Sequence, residues 1–100
     1  MTQFENFTAF YPYYLSQHSD RNCRRLHFVG IGCVIALAAL AVATLNPWLL
    51  LLLPVVGYGC AWIGHFAFEK NKPAAFGHPW WSLRGDFLMF WQVLSGRIRL

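Results

Sequence analysis

The residues best suited to chemistry in this chain are its histidines, above all His18, His27 and His65. Imidazole is the commonest neutral metal ligand near pH 7. His27 and His65 lie within apolar stretches, where an ionisable side chain is costly and tends to be functional. We therefore expect His27 and His65 to share a metal ion. His78 lies in a proline-flanked connector, where contact with water or lipid head groups is the simpler role.

Polar neighbours of His65 extend this candidate site. Glu69 follows His65 by four residues, so in a helix the two side chains share a face. Glu69 is therefore a candidate ligand, or a neighbour that orients the imidazole ring. The alternative is a surface ion pair with Lys70 or Lys72.

The spacing of His18 and His27 constrains the backbone. Nine residues of continuous helix would turn the two side chains to opposite faces. Both can reach one ion only if the chain breaks between them, and Ser19-Asp20 offers a helix cap at which to break. Asn22, four residues after His18, is then a further candidate neighbour of the site.

The cysteines allow a different site. Cys23 precedes His27 by four residues and Cys60 precedes His65 by five, so a zinc site of two cysteines and two histidines is an alternative. Cys60 would lie more than a turn deeper than His65, which makes one tetrahedron awkward. The chain has three cysteines, and this odd count predicts no disulfide framework.

Composition identifies the elements that must position these residues. Hydrophobic residues make up 57% of the chain and charged residues 12%, roughly half the charged share of a soluble domain. Two apolar blocks, 26–45 and 48–68, each have about the 20 residues that a helix needs to cross a bilayer, and the helix that carries the first block is expected to cover 20–45. Only Asn46-Pro47 separates them. The sequence therefore predicts an all-α integral membrane protein built on a transmembrane helical hairpin.

Basic residues predict the orientation of this hairpin. They lie outside both spans, whereas the turn between the spans carries none: Arg21, Arg24 and Arg25, then Lys70, Lys72 and Arg84. The positive-inside rule then places both termini in the cytoplasm, in the inner membrane of a bacterium or the endoplasmic reticulum of a eukaryote. Topology and anionic head groups account for the net charge of +4, so we expect no nucleic-acid partner.

The hairpin would bring two histidines to one depth. At about 1.5 Å per residue, His27 lies about 29 Å and His65 about 27 Å from the turn. Small residues spaced by three or four predict close contact between the helices. They are Gly32, Ala36, Ala39 and Ala43 in the first span, and Gly57 with Ala61 and Cys60 with Gly64 in the second.

The segments outside the hairpin complete a single membrane domain, 1–100. Residues 1–19 form an aromatic interfacial segment, whose helix is expected to begin at Pro12. Residues 69–81 form a connector. Residues 82–97 are too short to span and predict an interfacial or re-entrant helix packed under the hairpin.

Three stretches also resemble a known family. They are "YLSQHSDRNCRRLHFVGIG" (14–32), "GHFAFEKNKPA" (64–74) and "SLRGDFLMFWQVLSGR" (82–97). The first contains the signature His18, Asn22 and His27, and the second contains Gly-His followed by Phe-Glu-Lys and Pro-Ala. Together they resemble the membrane-embedded 2-hydroxy fatty acid dioxygenases, which perform iron(II)-dependent fatty acid α-oxidation.

The resemblance implies an iron(II) enzyme that shortens a 2-hydroxy fatty acid by one carbon with O₂. It implies His18, His27 and His65 as the ligands, with His78 dispensable. Arg21, Arg25 or Lys70 would then meet the substrate carboxylate, although lipid anchoring suits most of them. Members of the family typically have four spans, and this chain offers two clear ones and a short third element.

Two other functions remain open at this stage. One is a non-enzymatic membrane protein that acts as an assembly factor or a subunit of a larger complex. The other is a zinc-dependent membrane lipid hydrolase. The sequence leaves open the substrate chain length and stereochemistry, the pathway, and whether copies of the chain form a homo-oligomer.

Overall fold

A computed structural model describes residues 4–73 and 76–99, and these residues are helical with short connections. Residues 1–3 of the aromatic segment and Ala74 of the second signature lie outside the described ranges. The elements are α1 (Phe7–Ser16), α2 (Arg21–Thr44), a 3-10 turn (Pro47–Leu51), α3 (Leu52–Ile63), a π-helical segment (Gly64–Glu69) and α4 (Pro79–Leu94).

The two longest helical stretches form the predicted hairpin. Arg21–Thr44 has 24 residues with a mean hydropathy of 2.4, and Pro47–Glu69 has 23 with 1.7. Each is long and apolar enough to cross a membrane. Within the most apolar 18 residues of each stretch, only 22% and 11% are buried inside the molecule, so most of this surface faces outward. That is the pattern of lipid-facing helices, and the all-helical hairpin predicted from the sequence is confirmed.

The first span begins at a cap. The Asp20 carboxylate accepts hydrogen bonds from the backbone N–H groups of Asn22 and Cys23, which have no partner within the first turn. α1 ends at Ser16, so the chain has the break between His18 and His27 that the expected metal site requires.

The tip of the hairpin is compact. Leu45 ends α2 in the left-handed conformation, with φ 55°, and its side chain is 86% exposed. Asn46 then caps the 3-10 turn by accepting from the Trp48 N–H at 3.1 Å, and Pro47 occupies the first position of that turn. The chain thus reverses within a few residues.

Three glycines let the helices of the hairpin touch. The pairs are Gly64 against Cys23, Gly30 against Cys60 and Gly57 against Val34. A Cβ at Gly64 would lie 3.2 Å from the Cys23 Cα, closer than side chains normally approach a backbone. The backbones therefore meet near the histidine end of the hairpin, as glycine contacts between membrane helices allow.

The face of α2 predicted from small residues is wrong. Ala36, Ala39 and Ala43 are exposed, and Gly32 faces Phe90 of α4. The α2 contact face lies instead on Cys23, Gly30 and Val34, which meet Gly64, Cys60 and Gly57 of the second helical stretch. A run rich in alanine carries small residues on every face, so their spacing did not single out the side that packs.

A second layer, of α1 and α4, lies beside the hairpin. Its core consists of Phe7, Phe10, Tyr14 and Met89. α4 also packs on α2, where the Phe28 and Phe90 rings stack with centroids 4.7 Å apart.

Helix α1 begins earlier than Pro12, which corrects the expectation from the sequence. Asn6 caps the helix by accepting from the Ala9 N–H at 2.8 Å, and Pro12 lies inside the helix on an exposed face. Burial of the aromatic side chains on the other face outweighs the one backbone hydrogen bond that proline cannot make. α4 likewise begins at Pro79 rather than at residue 82, because proline suits the first helical turn.

Candidate metal centre

Three imidazole rings meet where α2, the π-helical segment and the α1–α2 loop come together. His18, His27 and His65 are 1%, 4% and 2% exposed. The Nε2 atom of His18 lies 3.2 Å from that of His27 and 2.9 Å from that of His65. The ring centroids of His27 and His65 are 5.0 Å apart.

The outward-facing ring nitrogens fix the protonation of this cluster. His18 Nδ1 lies 2.6 Å from the Tyr14 carbonyl oxygen, and His27 Nδ1 lies 2.9 Å from that of Cys23. A carbonyl oxygen only accepts, so both Nδ1 atoms carry the proton and donate it.

Asn71 imposes the same tautomer on His65. Its Oδ1 lies 2.7 Å from His65 Nδ1, while its Nδ2 donates to the Gln17 carbonyl oxygen and to the Gln17 Oε1. Because Nδ2 is the donor, Oδ1 must be the acceptor, and His65 Nδ1 donates to it. All three neutral rings therefore turn an Nε2 lone pair toward one point.

Three lone pairs that face one another at these distances repel unless a cation lies between them. Two nitrogens at about 2.1 Å from one ion lie about 3 Å apart when their bonds are at right angles. The separations of 2.9 and 3.2 Å match this value. The three histidines can thus hold a metal ion, with the Nδ1 partners orienting the rings as second-layer groups do in metal sites.

The π-helical segment positions His65. A wider turn of this kind is frequent at functional sites. It ends at Lys70 in the left-handed conformation, with φ 59°, and the Asn71 N–H donates to the His65 carbonyl oxygen at 3.1 Å. This sharp return brings the Asn71 side chain back onto the His65 ring.

The loop that carries His18 is tied to both helices of the hairpin. Glu69 accepts from the backbone N–H of Asp20 and from the Ser19 hydroxyl. Arg24 Nε donates to the His18 carbonyl oxygen at 2.5 Å. These bonds hold the His18 ring over the hairpin.

Burial, and then the nearby His27, lowers the pKa of His18 to about 2. The ring therefore stays neutral at physiological pH. A neutral imidazole is the form that binds metal ions.

The other candidate residues lie elsewhere. Arg21, Asn22, Arg25 and Lys70 are exposed at the surface. Glu69 binds the α1–α2 loop, as described, whereas the described hydrogen-bond partners of the His65 ring are Asn71 and His18. The His78 ring stacks on Trp81 and contacts Phe4 and Phe10. Cys60 packs against Gly30, away from the three rings.

A small cavity beside the rings has further residues that sequence reasoning missed. Its lining includes Tyr14, Tyr58, Ser82 and Asp86. The Tyr14 ring stacks on His18 with centroids 4.0 Å apart, and its hydroxyl donates to Asp86. Burial raises the pKa of Asp86 to about 7 and that of Tyr14 well above 10. In the sequence, the one indication of these cavity residues is that Asp86 is a lone acidic residue within an apolar stretch.

Comparison with known proteins decides the family. A family model described as "2-hydroxy-palmitic acid dioxygenase Mpo1-like" matches residues 4–98. The chain belongs to the Mpo1-like family. The match confirms the resemblance noted in the sequence, and the family's description names a dioxygenase of a 2-hydroxy fatty acid. No curated protein and no solved structure matches this Mpo1-like chain.

Proposed function

We propose that this chain is an iron(II)-dependent dioxygenase that shortens a 2-hydroxy fatty acid by one carbon at the membrane interface. The main support is the convergence of three neutral imidazoles on one point. Three protein ligands leave positions open around an octahedral ion, as non-haem iron(II) oxygenases require. The Mpo1-like family match gives the class of substrate.

The overall reaction balances without another reductant. A 2-hydroxy acid and O₂ give the acid one carbon shorter, CO₂ and water. The bond between the carboxyl carbon and the hydroxyl-bearing carbon breaks, and the four electrons lost by the substrate reduce O₂. Iron(II) at the site would supply the electron transfer that brings O₂ into reaction.

The chain's own residues would hold and shield the reacting groups. His18, His27 and His65 would hold the ion, and their burial keeps bulk water from it. Tyr14 stays protonated and donates to Asp86 beside the cavity. These groups provide fixed dipoles in a water-poor site.

We further propose that both ends of the hairpin face the cytoplasm. The support is the basic residues outside the spans. A fluorescent protein fused to either end should be fluorescent in bacterial cells, and an alkaline phosphatase fused there should be inactive. The reverse result would contradict the proposed orientation.

The metal content and the turnover of one purified protein together test the proposed activity. The protein purified without oxygen should contain about one iron per chain, and should consume O₂ and release CO₂ in equal amounts with a 2-hydroxy fatty acid. His27→Ala should lose both metal and turnover, whereas the matched His78→Ala should keep both.

Other results would favour the two alternative functions. Zinc in place of iron, with lipid hydrolysis that is indifferent to O₂, would identify a hydrolase. A folded protein without metal, whose function survives His27→Ala, would identify a non-enzymatic membrane protein.

A further inference from the structure

An apolar groove leads away from the histidine cavity. It has a volume of about 300 Å³, at the lower end for sites that bind small molecules. Its walls come from three helices, with Ile31 and Val34 on α2, Leu53 and Gly57 on α3, and Leu83 and Phe87 on α4. Tyr58 and Asp86 line both the groove and the histidine cavity, so the two are adjacent.

The groove follows the direction of the hairpin. Val34 lies two helical turns beyond His27, toward the hairpin tip. Leu53 lies twelve residues before His65, or about 18 Å along the helix. A chain in this groove would therefore run parallel to the lipid acyl chains, with one end at the three imidazoles.

A polar group without a partner lies beside the groove. Ser82 lines the histidine cavity and is 3% exposed. Its buried hydroxyl has no hydrogen-bond partner among the residues that the structure describes. A buried hydroxyl without a partner carries a desolvation cost that a bound polar ligand would remove.

We infer that the groove and Ser82 together form the fatty acid site, in which Ser82 hydrogen-bonds the polar head of the 2-hydroxy acid and the groove holds its tail. This inference rests on the proposed function. Under this inference, Ser82 on α4 recognises the head group, in place of the exposed cations Arg21, Arg25 and Lys70. Val34 and Leu53, at the end of the groove nearer the hairpin tip, then limit the length of the tail.

Binding without turnover tests this site. Saturated 2-hydroxy fatty acids of increasing chain length are titrated calorimetrically into the detergent-solubilised protein under anaerobic conditions. Leu53→Trp should weaken binding of the long acids by about tenfold and leave the short ones nearly unchanged, because filling the far end of the groove excludes only long tails. Leu52→Trp is the matched control, since Leu52 is 44% exposed on the same helix and lies outside the groove.

Two more variants make the result decisive. Pro54→Trp fills the same end of the groove beside Leu53 and should reproduce the shift in chain length. Ser82→Ala should weaken binding of every acid by about fivefold, the effect of one hydrogen bond. Ser95→Ala, at an exposed serine at the end of α4, should change nothing.

The outcomes separate this inference from the proposed function. If both groove variants keep the chain-length profile of the wild type, phospholipid or detergent fills the groove and the inference is wrong. If Ser82→Ala binds as the wild type does, Ser82 does not contact the head group and that part of the inference is overturned. If the acids bind and shift as expected but no O₂ is consumed in air, the site stands and the proposed dioxygenase activity fails.

Discussion

At the scale of single residues, the centre depends on which nitrogen of each histidine carries a proton. Two backbone carbonyls and the Asn71 side chain hold the Nδ1 protons, so every Nε2 atom is left as a lone pair. The sequence predicted the three histidines but not these partners. A backbone carbonyl has no residue signature, and Asn71 reaches His65 only through the left-handed turn at Lys70.

Asn71 provides a direct test of this orientation. Asn71→Ala should lower the affinity for metal by about 10- to 100-fold, the usual cost of losing a group that orients a ligand. Competition with a chromophoric chelator measures this affinity. Asn22→Ala, the same change at an exposed position that the sequence also singled out, should leave it unchanged. Equal affinities in all three proteins would contradict the assigned tautomer of His65.

Asp86 should make stability depend on pH in a direction unusual for a carboxyl group. Burial raises its pKa from 3.8 to about 7, so between these values the folded protein holds a proton that the unfolded chain has lost. The contribution of Asp86 to the free energy of unfolding therefore falls as the pH rises from about 4 to 7, and stays constant above that.

The variant Asp86→Asn isolates this effect from the histidines. The thermal midpoint of this variant minus that of the metal-free wild type should increase from pH 5 to pH 8. The reason is that asparagine does not ionise, whereas Asp86 loses its stabilising proton over this range. The exposed Glu5→Gln, which removes one carboxyl elsewhere, controls for charge. A difference between Asp86→Asn and wild type that is constant with pH would contradict the raised pKa.

At the scale of elements, the centre is held by the departures from regular helix. The break after α1 lets His18 reach the site, and the π-helical segment turns His65 toward it. The break was predictable, because nine residues of helix cannot put both histidines on one face and Asp20 is a good cap. The π-helical segment was not, since a wider turn leaves no periodicity that distinguishes it from an α-helix in so short a stretch.

The close approach of the two backbones at Gly64 makes this position sensitive to substitution. Gly64→Ala should cost about 1 to 3 kcal/mol, because the new Cβ would press on the Cys23 backbone, which cannot move aside. Gly59→Ala is the matched control, since nothing lies within 4 Å of a Cβ there. Alanine at that position should be neutral or slightly stabilising. Unfolding in mixed micelles measures the free energy of unfolding of both variants. An equal change in Gly64→Ala and Gly59→Ala would contradict the packing at Gly64.

At the scale of the whole molecule, three separate parts of the chain supply the three ligands. An ion would therefore join the α1–α2 loop, α2 and the π-helical segment across 47 positions of sequence. The hairpin and its apolar surface were predictable from composition, since two blocks separated by one turn allow few arrangements. The packing of α1 on α4 was not, because aromatic residues there suit a membrane interface and a protein core equally.

Metal should consequently stabilise the entire fold. At a free concentration 100 times the dissociation constant, binding adds about 2.7 kcal/mol to the free energy of unfolding. The thermal midpoint of the wild type and of His78→Ala should rise by several degrees on adding iron(II) without oxygen, and fall again with chelator. The midpoint of His65→Ala should not respond. A response in His65→Ala equal to that of the wild type would place the ion elsewhere.

The exposed tip of the hairpin has a consequence for the lipid surroundings. Leu45 and Trp48 are 86% and 74% exposed at the point where the chain reverses, so in a hairpin that crosses the bilayer they would anchor that end at the opposite membrane surface. Rigid helices separate these two residues from the imidazoles and would fix the distance between them. A thicker bilayer would then draw the centre inward and a thinner one would push it toward water, which would tie access of the proposed substrate to hydrophobic mismatch.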